Sequence, residues 1–279
     1  MNPTHLQCGR YRLPIAAGVA PLVMGILNVT PDSFSDGGRF HSLESALSRA
    51  EEMIDAGVDI IDIGGESTRP GAVPLSLEEE LRRVLPVVFA LRDCGKPLSI
   101  DTYKPRVMIE ALAAGADMIN DVSGFRQPEA LIAIKHSDCA LCIMHMSTDP
   151  QSMQRRPAYQ DVVKEVNQFL LERISELDAC GVARARLCID PGFGFGKTLE
   201  HNIALLKNLR SIAAAAELPL LAGLSRKSMI GDITGKTVDR RLAGSIAAAI
   251  AATANGAAIL RVHDVPETID ALKVWRAAI

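Results

Sequence analysis

One repeating pattern limits what this chain can become: short apolar runs end in a polar residue and give way to stretches with helical periodicity. Candidate strands cover 22–28, 58–62, 98–101, 117–120, 140–144, 186–190, 219–222 and 257–260. Between the first two, Leu43, Ala46, Leu47, Ala50, Met53 and Ile54 recur at helix spacing and form one apolar face. Ser76-x-x-Glu79 reads as a capping box opening the next helix. Gly57, Gly115 and Gly181 stand where helix-ending glycines belong, each just before a strand. Strands alternating with helices, without a linker or composition break, predict an α/β fold: a single-domain (β/α)8 TIM barrel over 22–279. Residues 1–21 read as a short irregular lead-in. A doubly wound open sheet is the other arrangement this pattern allows, but no G-x-G-x-x-G follows the first strand.

Composition narrows the function classes. The 279 residues are 48% hydrophobic and 23% charged, with a formal net charge of −3, so the chain can bury a core and is not disordered. A general nucleic-acid-binding surface would need a basic excess, so an anionic partner must be met by local cations. Two stretches, 13–31 and 242–260, are free of charge. The first holds Pro14 and Pro21 and ends in a polar loop, while the second is broken at Asn255-Gly256. Neither reads as a membrane span, and a cytoplasmic protein is expected. Cys139 and Cys142 form the one C-x-x-C pair. On a strand they point to opposite faces, which suits buried reduced thiols better than a shared metal.

Polar or ionisable residues end nearly every strand: Asn28, Asp62, Asp101, Asn120, His145 and Asp190, then Ser225-Arg226-Lys227, then Arg261 and His263. In a parallel barrel these positions converge at the carboxyl-terminal mouth, where barrel enzymes place their sites. Four segments add chemistry. Residues 28–38 are too long for a tight turn and present hydroxyls, carboxylates and Phe34, although turn chemistry alone would explain them. Residues 64–71 combine two glycines with Thr68 and Arg69, which suit an anion. Residues 190–198 approach a nucleotide phosphate loop but carry Pro191 where that loop needs glycine, so an aromatic wall beside Asp190 fits better. Arg261 and His263 alternate on the last strand and would point the same way, toward one anionic group.

Taken in order, Met24–Gly38, Gly64–Gly71, Ile100-Asp-Thr102, Ile119-Asn-Asp121, Met144-His-Met146, 190–197, Ser225–Gly231 and Arg261–Val265 resemble the dihydropteroate synthase family of folate biosynthesis. The resemblance implies condensation of 6-hydroxymethyl-7,8-dihydropterin diphosphate with 4-aminobenzoate to give 7,8-dihydropteroate and diphosphate. It implies catalytic roles for Asp101, Lys227, Arg261 and His263. The pterin diphosphate would be held by Thr68, Asp101, Asn120, Asp190, Lys227, Arg261 and His263. Phe34, Arg69, Pro70, Phe195 and Ser228 would shape the 4-aminobenzoate site, where sulfonamides would compete. Mg²⁺ is the implied cofactor, with Asn28 as its protein ligand, and a homodimer is implied, with no membrane or nucleic-acid partner. The alternatives are a methyltetrahydrofolate-type methyltransferase domain on the same barrel and a non-catalytic pterin-binding module. The first would not need 28–38 or Ser225–Gly231 as they stand, and the second would lack the Arg261 and His263 pair.

Overall fold

The computed structural model describes residues 4–15, 18–29, 39–67, 74–146 and 159–278, with the backbone alone for 39–42. A hairpin of β1 (His5–Cys8) and β2 (Tyr11–Pro14) precedes the barrel. The barrel strands are β3 (Leu22–Asn28), β4 (Ile60–Gly64), β5 (Leu98–Asp101), β6 (Met118–Asp121), β7 (Ala140–Met144), β8 (Leu187–Asp190), β9 (Leu221–Ala222) and β10 (Ile259–Val262). They form one eight-stranded parallel sheet in the order β8-β7-β6-β5-β4-β3-β10-β9. A parallel bridge from Ile189 to Leu220 joins its two edges and closes the ring. Helices on the outside are α1 (Arg39–Ala56), α2 (Leu77–Leu91), α3 (Pro105–Ala114), α4 (Pro128–Ile134) and α5 (Val162–Ala179). They continue with α6 (Leu199–Lys207), α7 (Leu209–Ala216), α8 (Ser228–Thr234), α9 (Leu242–Ala254) and α10 (Val265–Ala278).

Strand period two sorts the side chains into two cores. Odd positions such as Ile61, Ile63, Ile119, Leu141, Ile143, Leu187 and Ile189 face the helices in one continuous apolar layer. The intervening positions face the axis. Leu22, Met24, Ile60, Met118, Ala140, Cys142, Cys188, Leu221 and Ile259 fill the lower interior. Above them, the same inward rows end in Asp62, Asp101, Asn120, Asp190 and Arg261. Register sets the level of this polar layer: Asn28 pairs with Gly64, Gly64 with Asp101, and Asp101 with Asn120.

Local signals are realised with two differences. Gly57, Gly115 and Gly181 all have positive φ, at 96°, 115° and 83°. Ser76 does cap α2, accepting from the Glu79 amide at 3.2 Å. Glu79, however, does not return to Ser76, because Arg82 and Arg83 claim its carboxylate. The lead-in is not irregular. Its hairpin inserts Leu6 and Cys8, both fully buried, into the lower interior and closes that end of the barrel. Arg10 locks it there by donating Nε to Asp117 Oδ1 at 3.0 Å. A cavity of about 720 Å³ opens at this end beside Pro21, Pro219, Ala257 and Trp275, and no strand-end residue of the mouth lines it.

Cys139 and Cys142 do lie in different layers, one toward the helices and one toward the axis, both buried and unpaired. Among the described residues, no helix is long and apolar enough to cross a membrane.

Candidate active site

The mouth is built around Arg261. Its Nε donates to Asp62 Oδ2 at 2.6 Å and its Nη2 to Asp101 Oδ2 at 2.6 Å. Asn120 Nδ2 donates to the same Asp62 oxygen at 3.3 Å. Strand β10 carries Arg261 across the barrel axis to β4 and β5, so one guanidinium ties together three strands distant in sequence. Two inward carboxylates this close need such a counter-charge, because burial alone penalises each ionised form. Burial pushes the Asp101 carboxyl up to about 7; Arg261 opposes the rise, and the charges of Asp62 and Glu80 add to it. Among the described residues, Asp62 Oδ1 and Asp101 Oδ1 are buried acceptors without a hydrogen-bond partner.

Asp190 stands at the end of β8. Its Oδ1 accepts from the Gly192 amide at 2.7 Å, and burial raises its pKa. A Cβ on Gly223 would lie 3.9 Å from both Asp190 Oδ2 and Arg261 Cβ, so the absence of a side chain there leaves the two residues facing one gap. Lys227 closes the other side. Its Nζ donates to the Phe193 carbonyl at 2.6 Å and lies 4.1 Å from the Phe195 ring centroid. Burial lowers the Lys227 pKa to about 8, against the pull of Asp190. His263 accompanies Arg261 on the inward row: its amide donates to Ser225 Oγ at 3.2 Å, and its Nδ1 lies 3.0 Å from the same oxygen. Arg226, at φ 58°, is held against Asp264, with Nε 3.0 Å from Oδ2, which fixes the turn that delivers Lys227.

Of the residues singled out in the sequence, Asp101, Asn120, Asp190, Lys227 and Arg261 share this mouth. Asn28 joins them at its edge, where a Cβ on Gly64 would lie 3.6 Å from Asn28 Oδ1 and 3.9 Å from Asp101 Oδ2. Phe195 is buried at the wall, and Ser228 is exposed at the start of α8. Phe34, Thr68, Arg69 and Pro70 lie outside the described residues.

Three groups near the mouth lie beyond the site residues that the sequence suggests. Asp62 was visible as a strand end, yet its bond to Arg261 depends on the ring closing. Lys197, in the near-miss phosphate loop, is only 4% exposed and turned inward. Lys104 ion-pairs with both Glu66 and Glu80, next to Thr102, whose Oγ1 donates to Glu80 Oε1 at 2.6 Å. No sequence spacing announces that cluster.

A closed parallel barrel whose axis ends in paired carboxylates, an amide and two half-buried cations is an enzyme-type site. Residues 24–263 match the family described as pterin binding enzyme. Within that class, the chain is 50% identical over 260 residues to dihydropteroate synthase from Escherichia coli, covering 93% of this chain and 92% of the relative. A Burkholderia cenocepacia dihydropteroate synthase solved with 7,8-dihydropteroate superposes with a TM-score of 0.89 at 52% identity, covering 99% of this chain and 96% of that one. The Xanthomonas albilineans enzyme solved with 4-aminobenzoic acid gives 0.92 at 48%, covering 100% and 98%. The chain belongs to the dihydropteroate synthase family.

Proposed function

We propose that this protein condenses 6-hydroxymethyl-7,8-dihydropterin diphosphate with 4-aminobenzoate, releasing diphosphate and forming 7,8-dihydropteroate. The observation that carries the reading is the pair of buried, unpartnered acceptors, Asp62 Oδ1 and Asp101 Oδ1, beside Asn120 and Asp190. A pterin presents an amino group and ring N–H donors on one edge and a carbonyl next to them. That donor-rich edge satisfies acceptors which would otherwise each cost roughly 1–3 kcal/mol. Asp190 and Asn120 take the amide-like edge, while Lys227 donates to the ring oxygen and nitrogen. A methyltransferase domain on the same barrel would not need the 28–38 and Ser225–Gly231 segments as they stand, and the relatives named above are dihydropteroate synthases.

In the reaction, the lone pair of the aniline nitrogen attacks the pterin methylene as its C–O bond breaks. Electrons leave with the diphosphate, and the nitrogen loses one proton. Positive charge builds on the methylene and ring, which the Asp101 and Asp62 carboxylates stabilise from below. Negative charge builds on the departing oxygens. Arg261 and His263, on the same inward row, supply cationic and N–H contacts to it. Thr68 joins them from the β4–α2 segment. Phe195 and Ser228, with Phe34, Arg69 and Pro70, shape the aminobenzoate site and keep water from the cationic carbon.

Mg²⁺, when bound, neutralises the charge of the leaving group. The donor set fits a cation that arrives with the diphosphate: Asn28 offers one amide oxygen at the mouth, and the described residues form no group of three or more His, Cys, Asp or Glu able to hold a metal alone. A homodimer is supported by exposed Ile233, Val238 and Leu242 on the α8–α9 segment, and a cytoplasmic setting by free cysteines.

The test pairs Arg261→Ala with Lys227→Ala. Loss of Arg261 lowers kcat/KM for the pterin diphosphate on the order of 10²–10³-fold. Loss of Lys227 weakens binding of a pterin lacking the diphosphate as well. Equal weakening of the bare pterin by both variants would overturn the separate pterin and diphosphate roles. No diphosphate release with both substrates and Mg²⁺ present would overturn the reaction itself.

A further inference from the structure

Lys197 is a buried amine that the chemistry above does not use. Its Nζ lies 2.9 Å from the Gly192 carbonyl, 3.0 Å from the Phe195 carbonyl and 2.9 Å from His145 Nδ1. Two of these partners belong to its own β8–α6 loop and the third to the end of β7. No carboxylate is within ion-pairing distance of it among the described residues. With Lys197 donating, His145 Nδ1 must accept, so the ring is neutral with its proton on Nε2. Burial, seconded by the charge of Lys197, lowers the His145 pKa to about 3, which agrees with that state.

The loop so held is hard to order by itself. Gly192, Gly194 and Gly196 all sit at positive φ, and glycine loses the most backbone freedom on fixing. Gly192 also lies against β7: a Cβ there would come 1.9 Å from the His145 carbonyl oxygen. Asn202 Oδ1 holds the far side by accepting from the Gly194 amide at 2.8 Å. Between those anchors, the loop presents the Phe193 carbonyl and the Phe195 ring to Lys227 Nζ, and the Gly192 amide to Asp190.

We infer that Lys197 is a positioning residue: from inside the loop, its amine sets the Phe193 carbonyl and Phe195 ring that place Lys227 against the substrates. This rests on the role given to Lys227 and Phe195 under the proposed function. It also explains why a lysine stands at the end of a sequence resembling a phosphate loop, since this one is turned away from any nucleotide and into the barrel wall.

A double-mutant cycle tests it, using Lys197→Met and Lys227→Met in the full-length protein, with kcat/KM for both substrates and the melting temperature as readouts. A misplacement of about 1 Å at the reacting groups costs on the order of 10²-fold, so Lys197→Met alone lowers kcat/KM by roughly 10- to 100-fold. In the Lys227→Met background the same substitution costs less than about threefold, because the group it positions is gone. The drop in melting temperature persists in both backgrounds. If the two losses multiply, Lys197 acts independently of Lys227, and if Lys197→Met lowers only the melting temperature it acts on stability alone; either result overturns the inference. Should Lys197→Met not accumulate as folded protein, Lys197→Gln, which keeps two N–H donors, takes its place in the cycle under the same criterion. Failure of the underlying reading shows separately, as a Lys227→Met enzyme that binds pterin and 4-aminobenzoate like the parent.

Discussion

At the scale of single residues, the site works by placing unlike charges where neither could stay alone. Arg261 is the hinge of this arrangement: two carboxylates share it, and each keeps one oxygen for a ligand. Asp62→Asn keeps the shape but replaces the charged acceptor that Oδ1 offers to a pterin N–H with a neutral one. Calorimetry of a pterin analogue should then read a loss of about 1.5–3 kcal/mol, the usual worth of a hydrogen bond to a charged group. An unchanged affinity would remove Asp62 from the pocket. Lys197 gives a second residue-level expectation. Burial lowers its pKa from the ordinary 10.5 to about 7 in the folded state. Between those values the unfolded chain binds more protons, so stability rises as pH rises from about 7 toward 10.5. Thermal unfolding at pH 7.5 and 9.5 checks it: the parent gains over that interval relative to Lys197→Met. Asp101, raised to about 7, acts in the other window, where stability falls as pH rises from about 3.8 to 7.

Among the elements, the amino-terminal hairpin has the clearest separable role. Leu6 is fully exposed to the lower core and hidden from water, at the end of the barrel opposite the mouth. Leu6→Ala should cost about 2–5 kcal/mol in denaturant unfolding, as buried leucine truncations do. The kcat at a temperature where the variant is folded should stay within about twofold of the parent. A large fall in kcat would mean that the hairpin communicates with the site. The Ser225–Lys227 turn is the opposite case. Its left-handed Arg226 is clamped by Asp264 and by Ser245, whose Oγ accepts from the Arg226 amide at 2.9 Å. Structure and chemistry share the same few bonds there.

For the whole molecule, depth along the barrel axis predicts the order of binding. The groups proposed to face the pterin, Asp62, Asp101, Asn120 and Asp190, are buried inside the ring, whereas Ser228 is exposed at the rim. A ligand at the rim should gain from one already seated below it. Titration of 4-aminobenzoate should therefore give markedly tighter binding with a pterin bearing diphosphate, or with diphosphate and Mg²⁺, than without. Equal affinities in the two titrations would contradict the stacked arrangement.

Much of this was legible in the residues themselves. Local rules acting over a few positions set the strands, the helix-ending glycines and the inward row that puts Asp101, Asn120, Asp190 and Arg261 at strand ends. Period two is a property of the extended backbone, so it survives without knowledge of neighbours. Strand bounds shifted by up to two residues, as in β4 and β10, because register is settled by the adjacent strand and not by the run itself. The hairpin was missed for a related reason: two four-residue strands show their apolar face only against the barrel floor they cover. Which charges meet was a matter for closure of the ring. Arg261 reaches Asp62 across 199 residues, and Lys197 reaches His145 across 52. Pairing energies between buried charges depend on angstrom distances and on exclusion of water, and both exist only once the sheet has curved back on itself.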